Sequence, residues 1–286
     1  MKRAQQNSGV LYVVATPIGN LQDLSVRALD VLRSVPLIAA EDTRHSKNLL
    51  THYGIGTRQL ALHEHNERDI TAVLLRHLAG GEDVALVSDA GTPLISDPGF
   101  FLVRAAREAD VRVVPVPGPS ALVAALSVAG LPSDRFFFEG FLPSKQAARQ
   151  QRLQALAGVA VTLVVYESSH RICASLRDMV ECLGGDREAT VARELTKTFE
   201  TLLHGTLQEL LEQVEADPDQ QKGEFVVVIH GAPARERSAV DAETLQMLDV
   251  LMSELPLKQA AGLAAKISGL SKNVLYEEGL RLKEGR

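Results

Sequence analysis

The sequence predicts an α/β protein of two α/β domains followed by a small helical segment, and three observations carry that prediction. Short apolar runs rich in β-branched residues alternate with stretches of helical spacing, the pattern of a mostly parallel sheet covered on both faces. The alternation is interrupted at Pro115-Val116-Pro117-Gly118-Pro119, where three prolines fix φ and remove donors, and then begins again. Near the carboxyl end no strand signal remains. The predicted divisions are 9–118, 119–231 and 240–286.

In chain order, Leu11–Ala15, Leu37–Ala40, Leu60–Leu62, Val84–Val87 and Val111–Val116 read as strands of the first domain. Val26–Val35, Thr43–Tyr53, Asp69–Leu78 and Phe100–Ala109 carry helical spacing between them. After the proline connector, Ser120 is placed to cap a helix over Ala121–Ala129. Strands come next at Phe136–Phe138, Val161–Val165, Ala189–Val191 and Phe225–Ile229, with helices at Gln146–Leu156, Ile172–Leu183 and Leu207–Val214. Ala232–Val240 reads as a linker. Leu245–Leu255, Leu257–Ile267 and Ser271–Leu282 then form helices, the last two joined at Ser268-Gly269-Leu270 in a helix-turn-helix-like pattern.

Composition excludes several classes. With 45% apolar and 23% charged residues among 286, the chain has enough apolar surface to offset the entropy of ordering. Thirty Lys and Arg against 36 Asp and Glu give −6, so nucleic-acid contact must be local rather than chain-wide. The exception is Leu257–Arg286, where six basic residues face three Glu. Cys173 and Cys182 are too few for a disulfide framework and read as reduced thiols. Met1–Val10 lacks the apolar core of an export signal. The charge-free stretch Val113–Ser133 is broken by prolines that leave about ten helical residues against the ~20 of a membrane span. A cytoplasmic protein with no membrane contact is expected.

The two commonest nucleotide loops are missing: Gly54-Ile55-Gly56 lacks the third glycine of the dinucleotide fingerprint, and no Walker-type loop occurs. The strands lead instead into a set of unusual loops: Thr16-Pro17-Ile18-Gly19-Asn20, Glu41-Asp42-Thr43-Arg44, Ser88–Gly99 and Pro117–Ala121. In parallel sheets ligands bind where such loops converge. Ser88–Gly99 holds two Gly, two Pro and two Asp but no Lys or Arg, which suits a cationic ligand rather than a phosphate. The second half offers Tyr166–Arg171, Ala192–Thr198 and Gly223-Glu224, also at strand ends, although Lys, Arg and Glu neighbours of this kind are commonly surface ion pairs. His63-Glu64-His65 places two imidazoles on one face of an extended segment. With no cysteine near and no H-E-x-x-H spacing, no metal is expected there. The absence of a G-x-S-x-G elbow argues against a serine triad.

ATPIGNL, AAEDTRHS, LHEHNE, VSDAGTPLISDPG, PGPSA, GLPSDRF, YESSHR, ARELTKTFE and KGEF, in that order over Leu11 to Ile229, resemble the tetrapyrrole (corrin/porphyrin) methylase superfamily. Within it they are similar to the bacterial 16S ribosomal RNA (cytidine-2′-O)-methyltransferases, whose basic helical tail the end of this chain also resembles. The resemblance implies a fold of the tetrapyrrole methylase type with S-adenosylmethionine in a cleft between the two domains. It also implies a homodimer and, as substrate, a cytidine in the decoding region of 16S ribosomal RNA within the small ribosomal subunit. Implied cofactor contacts are Pro17, Ile18, Asp89, Ala90, Gly91, Leu94, Ser120, Ala121, Tyr166, Glu167, Leu195 and Gly223. Tetrapyrrole-modifying members carry G-x-G-P-G-D after the first strand. Ala15–Asn20 keeps one Gly and has Asn for Asp, which argues against a tetrapyrrole substrate.

Methyl transfer to a ribose hydroxyl needs alignment of oxygen, methyl and sulfur, and a group to take the proton. Glu41, at the end of the second strand, is the candidate base; the competing reading is an acid that favours the start of the following helix. Arg44, Lys145, Arg149, Arg171, Lys197, Lys258, Lys266 and Lys272 are the candidate RNA contacts. Two alternatives stay open: methylation of a small molecule on the same fold, and a ligand-sensing regulator that binds DNA through its tail.

Overall fold

A computed structural model describes residues 8–233, 240 and 242–284. Most of the predicted linker 232–240, and residues 1–7 at the amino terminus, lie outside the described residues. The chain up to Gly231 forms one compact unit and the remainder a second.

The first half alternates strand and helix: β1 (Val10–Val14), α1 (Val26–Ser34), β2 (Leu37–Ala40), α2 (Thr43–His52), β3 (Arg58–Ala61), α3 (Glu67–Ala79), β4 (Val84–Val87), α4 (Phe100–Glu108) and β5 (Arg112–Val116). The five strands form one parallel sheet in the order β3-β2-β4-β1-β5. β2 and β4 are buried along their whole length, which is why they read as unbroken apolar runs. Ala28 and Leu32 of α1 and Leu50 of α2 pack on one face with Val14, Ile38 and Val87. Leu74 and Leu78 of α3 and Leu102 of α4 pack on the other with Leu11, Leu37 and Leu86. Each fully buried leucine contributes roughly 1.5–3 kcal/mol. β1 and β4 are therefore neighbours whose following helices leave to opposite faces, and a crevice opens between their carboxyl ends.

The second half begins with α5 (Ala121–Val128) and continues through β6 (Phe136–Phe141), α6 (Gln146–Leu156), β7 (Thr162–Ser168), α7 (Ile172–Leu183), β8 (Glu188–Arg193), β9 (Thr201–Thr206), α8 (Leu207–Ala216) and β10 (Glu224–Ile229). Its sheet has the order β6-β7-β10-β8-β9 and corrects the expectation of a mostly parallel sheet. Only β6 and β7 pair in parallel here, while β10 lies antiparallel between β7 and β8, and β9 returns antiparallel beside β8. A strand buried on both faces has the same apolar pattern in either direction. Alternation along β10 sends Phe225, Val227 and Ile229 toward α6, α7 and α8, and Val226 and Val228 toward α5. β9 has no counterpart among the predicted strands, because an edge strand reading Thr-Leu-Leu-His-Gly-Thr is only half-buried and carries two adjacent leucines.

Ser120 stands at the amino end of α5 in extended conformation, but its side chain makes no cap hydrogen bond, contrary to expectation. The start of α5 is tied instead by the Leu122 amide, which donates to the Tyr166 phenol at 3.0 Å.

In the second unit α9 (Ala242–Glu254), α10 (Leu257–Ser268) and α11 (Lys272–Glu284) pack around Leu248, Ala260, Ala261, Ala264 and Leu275. The small alanines let the helices approach closely. Among the described residues no helix is long and apolar enough to cross a membrane.

Candidate functional site

The crevice at the ends of β1, β2, β4 and β5 faces the second sheet across a cavity of about 310 Å³. Its first-half wall is held together by main-chain and side-chain bonds between loops. Thr16 and Gly91 exchange both backbone hydrogen bonds, at 2.8 and 3.0 Å, which locks the loop after β1 to the loop after β4. The Thr92 hydroxyl donates to the Pro119 carbonyl at 3.0 Å, adding the proline connector. The Asp42 amide donates to Asp89 Oδ1 at 3.0 Å and the Asp89 amide to Glu41 Oε2 at 3.3 Å, adding the loop after β2. Four segments distant in sequence thus form one rigid rim.

Backbone strain concentrates at the same place. Leu94 and Ser96 have φ of 74° and 69°, and Glu194 and Thr196, on the opposing wall, have φ of 52° and 68°. Such conformations cost on the order of 1–3 kcal/mol each for residues with a side chain and persist where the surroundings over-determine them.

The electrostatics of the two walls differ. Glu41, Asp89 and Asp97 converge on the first-half side. Burial raises the Glu41 carboxyl above the ordinary carboxylate range, against the hydrogen bond from the Asp89 amide. Burial likewise pushes Asp97 up to about 6, opposed by a hydrogen bond with Ser88 and reinforced by the charges of Glu41 and Asp89. On the second-half side the charges are neutralised. Lys197 Nζ lies 2.8 Å from Glu194 Oε1 and 2.8 Å from Glu224 Oε2, and its aliphatic stem rests on Gly19. The Tyr166 phenol accepts the Leu122 amide at 3.0 Å and is raised chiefly by burial. Ile18, Ile95, Leu195 and Val226 supply apolar lining. The arrangement can hold a ligand with an apolar body and a positive charge, and it places ionisable carboxylates beside that charge.

Of the sequence-predicted residues, Ile18, Glu41, Asp89, Ala90 and Gly91 come together on one wall. Ser120, Ala121, Tyr166, Glu167, Leu195 and Lys197 complete the opposite one. Pro17 and Gly223 adjoin lining residues without lining the cavity themselves. Leu94 does not line the cavity with its side chain, which packs into the first-half core and against Gly99; the neighbouring Ile95 lines it. The Glu167 carboxylate is fully engaged by the Ser168 amide at 2.8 Å, the Ser175 hydroxyl at 2.6 Å and Arg171 at 2.8 Å. Arg171, a predicted RNA contact, is thereby held by Glu167 and also donates to the Leu142 carbonyl, with its side chain 25% exposed.

Arg149 is corrected. Its guanidinium is buried and donates to Asp178 Oδ2 at 2.6 Å, with side-chain exposures of 5% and 2%. Lys197 is bound in its ion pairs at the cavity edge rather than free at the surface. Arg44, although paired with Asp42 at 2.7 Å, is 90% exposed, and Lys145, Lys258, Lys266 and Lys272 are exposed. Sequence reasoning misses Asp97, Ile95 and Glu224 as individual site residues. The first two sit in the Ser88–Gly99 loop that points to a cationic ligand, and the third in KGEF, so the signal is present at the level of the segment.

Residues 10–211 match the family of tetrapyrrole (corrin/porphyrin) methylases, and residues 238–283 match the RsmI C-terminal HTH domain. A Pseudomonas aeruginosa protein named ribosomal RNA small subunit methyltransferase I is 58% identical over 277 residues, covering 96% of this chain and 98% of its own. One of the same name from Vibrio cholerae is 53% identical over 279 residues, covering 98% and 97%. Among solved structures, the uroporphyrin-III C-methyltransferase of Thermus thermophilus, complexed with S-adenyl homocysteine, shares the fold with a TM-score of 0.53 at 22% identity, covering 77% of this chain and 97% of that one. The chain belongs to the tetrapyrrole (corrin/porphyrin) methylase family, alongside the proteins named ribosomal RNA small subunit methyltransferase I, and is a methyltransferase.

Proposed function

We propose that the chain transfers a methyl group from S-adenosylmethionine to the ribose 2′-hydroxyl of a cytidine in the decoding region of 16S ribosomal RNA. The observation that carries this reading is the wall of carboxylates Glu41, Asp89 and Asp97, none ion-paired to a described residue, facing an apolar cavity in a family of methyltransferases. The donor supplies an electrophilic methyl group on a positively charged sulfur. Ile18, Ile95, Ala121 and Leu195 would hold its apolar parts. Main-chain groups of Asp89–Thr92 and the Ser120-Ala121 turn would hold its polar ends.

The chain's own contribution is largely orientation. The laced rim fixes the donor's position in advance, so that a hydroxyl arriving at the cavity mouth needs little further ordering. The 2′-hydroxyl is a weak acid, and its proton leaves as the oxygen–carbon bond forms. Asp97 and Glu41 both line the cavity, and Asp97, with its carboxyl near 6, is ionised at neutral pH yet basic enough to accept a proton. Asp97 thus joins Glu41 as a candidate base.

The halves 9–118 and 119–231 act as two domains that clamp the donor, and 240–286 is a separate module that meets RNA. Lys258, Lys266 and Lys272 on that module, with Arg44 and Lys145 on the main unit, are exposed and available to phosphate. The surface pair of Arg44 with Asp42 is worth little and exchanges readily for a phosphate. A homodimer is supported by the edge strand β6, where Phe136 and Phe137 stand exposed. The enzyme works in the cytoplasm on the small ribosomal subunit.

Nucleoside mass spectrometry of 16S ribosomal RNA from a strain lacking the protein is expected to show loss of one 2′-O-methylcytidine. An unchanged profile overturns the reading, as does calorimetry in which S-adenosylmethionine gives no binding heat.

A further inference from the structure

The LHEHNE segment, Leu62–Glu67, forms no part of the cavity wall, yet it contains a buried acid that touches the cavity's central loop. Glu67 is the first residue of α3 and is 5% exposed. An acid at this position ordinarily faces the amides of its own helix. Here Glu67 reaches across to α4, and its Oε1 accepts the amides of Gly99 and Phe101, both at 2.9 Å. Gly99 heads α4 and has no side chain with which to cap it, so the carboxylate supplies the cap from another helix.

The place from which Glu67 reaches is itself pinned. Asn66, which precedes it, makes no cap bond to α3 but folds back on the end of β3. Its side-chain oxygen accepts the His63 amide at 2.9 Å and its side-chain nitrogen donates to the Ala61 carbonyl at 3.1 Å. Gly99 is pinned as well. It has φ of 127°, and a Cβ there would lie 2.9 Å from Leu86 Cδ2 and 3.2 Å from Leu94 Cδ1. From Gly99 the chain runs back through rigid Pro98 to Asp97, then through Ser96 at φ of 69° to Ile95. Asp97, Ser96 and Ile95 all line the cavity. A strained segment of this kind keeps its conformation only while its ends are held.

We propose that Glu67 is a positioning residue for the donor cavity, setting Ile95, Ser96 and Asp97 through the two amides it accepts at the head of α4. This rests on the reading that the cavity holds S-adenosylmethionine. Burying a carboxylate is costly unless it is hydrogen-bonded, and these two bonds supply what a surface helix cap would obtain from water. Gln at this position keeps one side-chain oxygen able to accept both amides, whereas Ala leaves them without an acceptor.

The test is calorimetric titration of the full chain with S-adenosylmethionine, at a temperature well below each variant's melting transition. Glu67→Ala is expected to weaken donor binding at least tenfold, and Glu67→Gln to stay within about threefold of the unaltered protein. Folded Glu67→Ala that binds the donor normally overturns the proposal, leaving Glu67 a cap of stability alone. Glu67→Gln as weak as Glu67→Ala overturns it too, because acceptor geometry is then not what matters. Should Glu67→Ala fail to fold, Glu67→Asp, one methylene short of the amides, takes its place with the same two outcomes. Absence of donor binding by the unaltered protein overturns the functional reading itself and is distinguishable from both.

Discussion

The two halves of the main unit treat charge in opposite ways at equivalent places, the ends of their strands. In the second half Glu167 is closed by Arg171 and Ser175, and Glu194 and Glu224 by Lys197, while away from the strand ends the buried Asp178 of α7 is closed by Arg149 of α6. In the first half Glu41 and Asp97 are partly buried with raised carboxyl pKa values, and no described residue forms an ion pair with either; His45 near Glu41 only partly offsets the rise there. Neutralised charges of the first kind hold a scaffold in register. A carboxylate left without a partner in a partly buried wall costs free energy in the empty protein, and that cost is recovered when a cation arrives. The strained φ values on both walls show that both halves shape the cavity, but only one carries uncompensated charge.

The comparison breaks most readily at Arg149. Removing its side chain strands the buried Asp178 carboxylate, which is also the acceptor for Gln146 at 3.3 Å and Gln150 at 3.0 Å. Arg149→Ala is expected to lose about 3–5 kcal/mol of stability, the usual cost of breaking a buried pair from one side, measured by urea unfolding. Donor affinity of the folded fraction should stay unchanged. If affinity falls along with stability, the second half is not a passive scaffold and the division between the halves is wrong.

Asp97 sharpens the comparison from the other side. A carboxyl held near 6, above its ordinary 3.8, binds its proton more tightly in the folded chain than in the unfolded one. Its contribution to stability is fully present below about pH 4 and is lost as pH rises through about 6. A cation in the cavity favours the ionised form, so donor binding at pH near 6 should release protons, and donor affinity should rise between about pH 5 and 7. Asp97→Asn is expected to flatten that rise and to weaken donor binding at about pH 7.5 by roughly tenfold, the worth of one lost charge interaction of about 1.4 kcal/mol. S-adenosylhomocysteine, which lacks the sulfonium charge, should show a shallower pH dependence. Equal pH dependence for the two ligands would mean that the wall does not sense the charge on sulfur.

How much of this is legible in the sequence depends on the reach of each signal. The strands of the first sheet are legible, though not their order, because β2 and β4 are buried on both faces and lie between amphipathic helices. The direction of β10 is not, since burial pattern carries no direction, and β9 escapes because an edge strand needs few apolar residues. At the site, the loop motifs bring the right segments together but not always the right side chains. Leu94, at a positive φ that sequence does not display, turns its side chain into the first-half core, and Ile95 lines the cavity. Arg149 is misread because a cation in a sequence shows its charge and not its partner, and Asp178 lies 29 residues away on α7.

The smallest expected effects lie outside both halves, on the helical module. Lys258, Lys266 and Lys272 are exposed there, and no described carboxylate is ion-paired with them. A lysine used as a phosphate contact releases about one counterion, so its removal should change the salt dependence more than the rate at low salt. Each of Lys258→Ala, Lys266→Ala and Lys272→Ala is expected to lower the slope of log affinity against log salt by about 0.7–0.9 and to weaken RNA binding only a few-fold. Donor affinity in the same variants should not move, because the residues that line the donor cavity all lie between Ile18 and Val226. A slope identical to that of the unaltered chain in all three variants would place the RNA contacts on the main unit, at Arg44 and Lys145. The module's alanine-lined core would then serve some purpose other than presenting charge to phosphate.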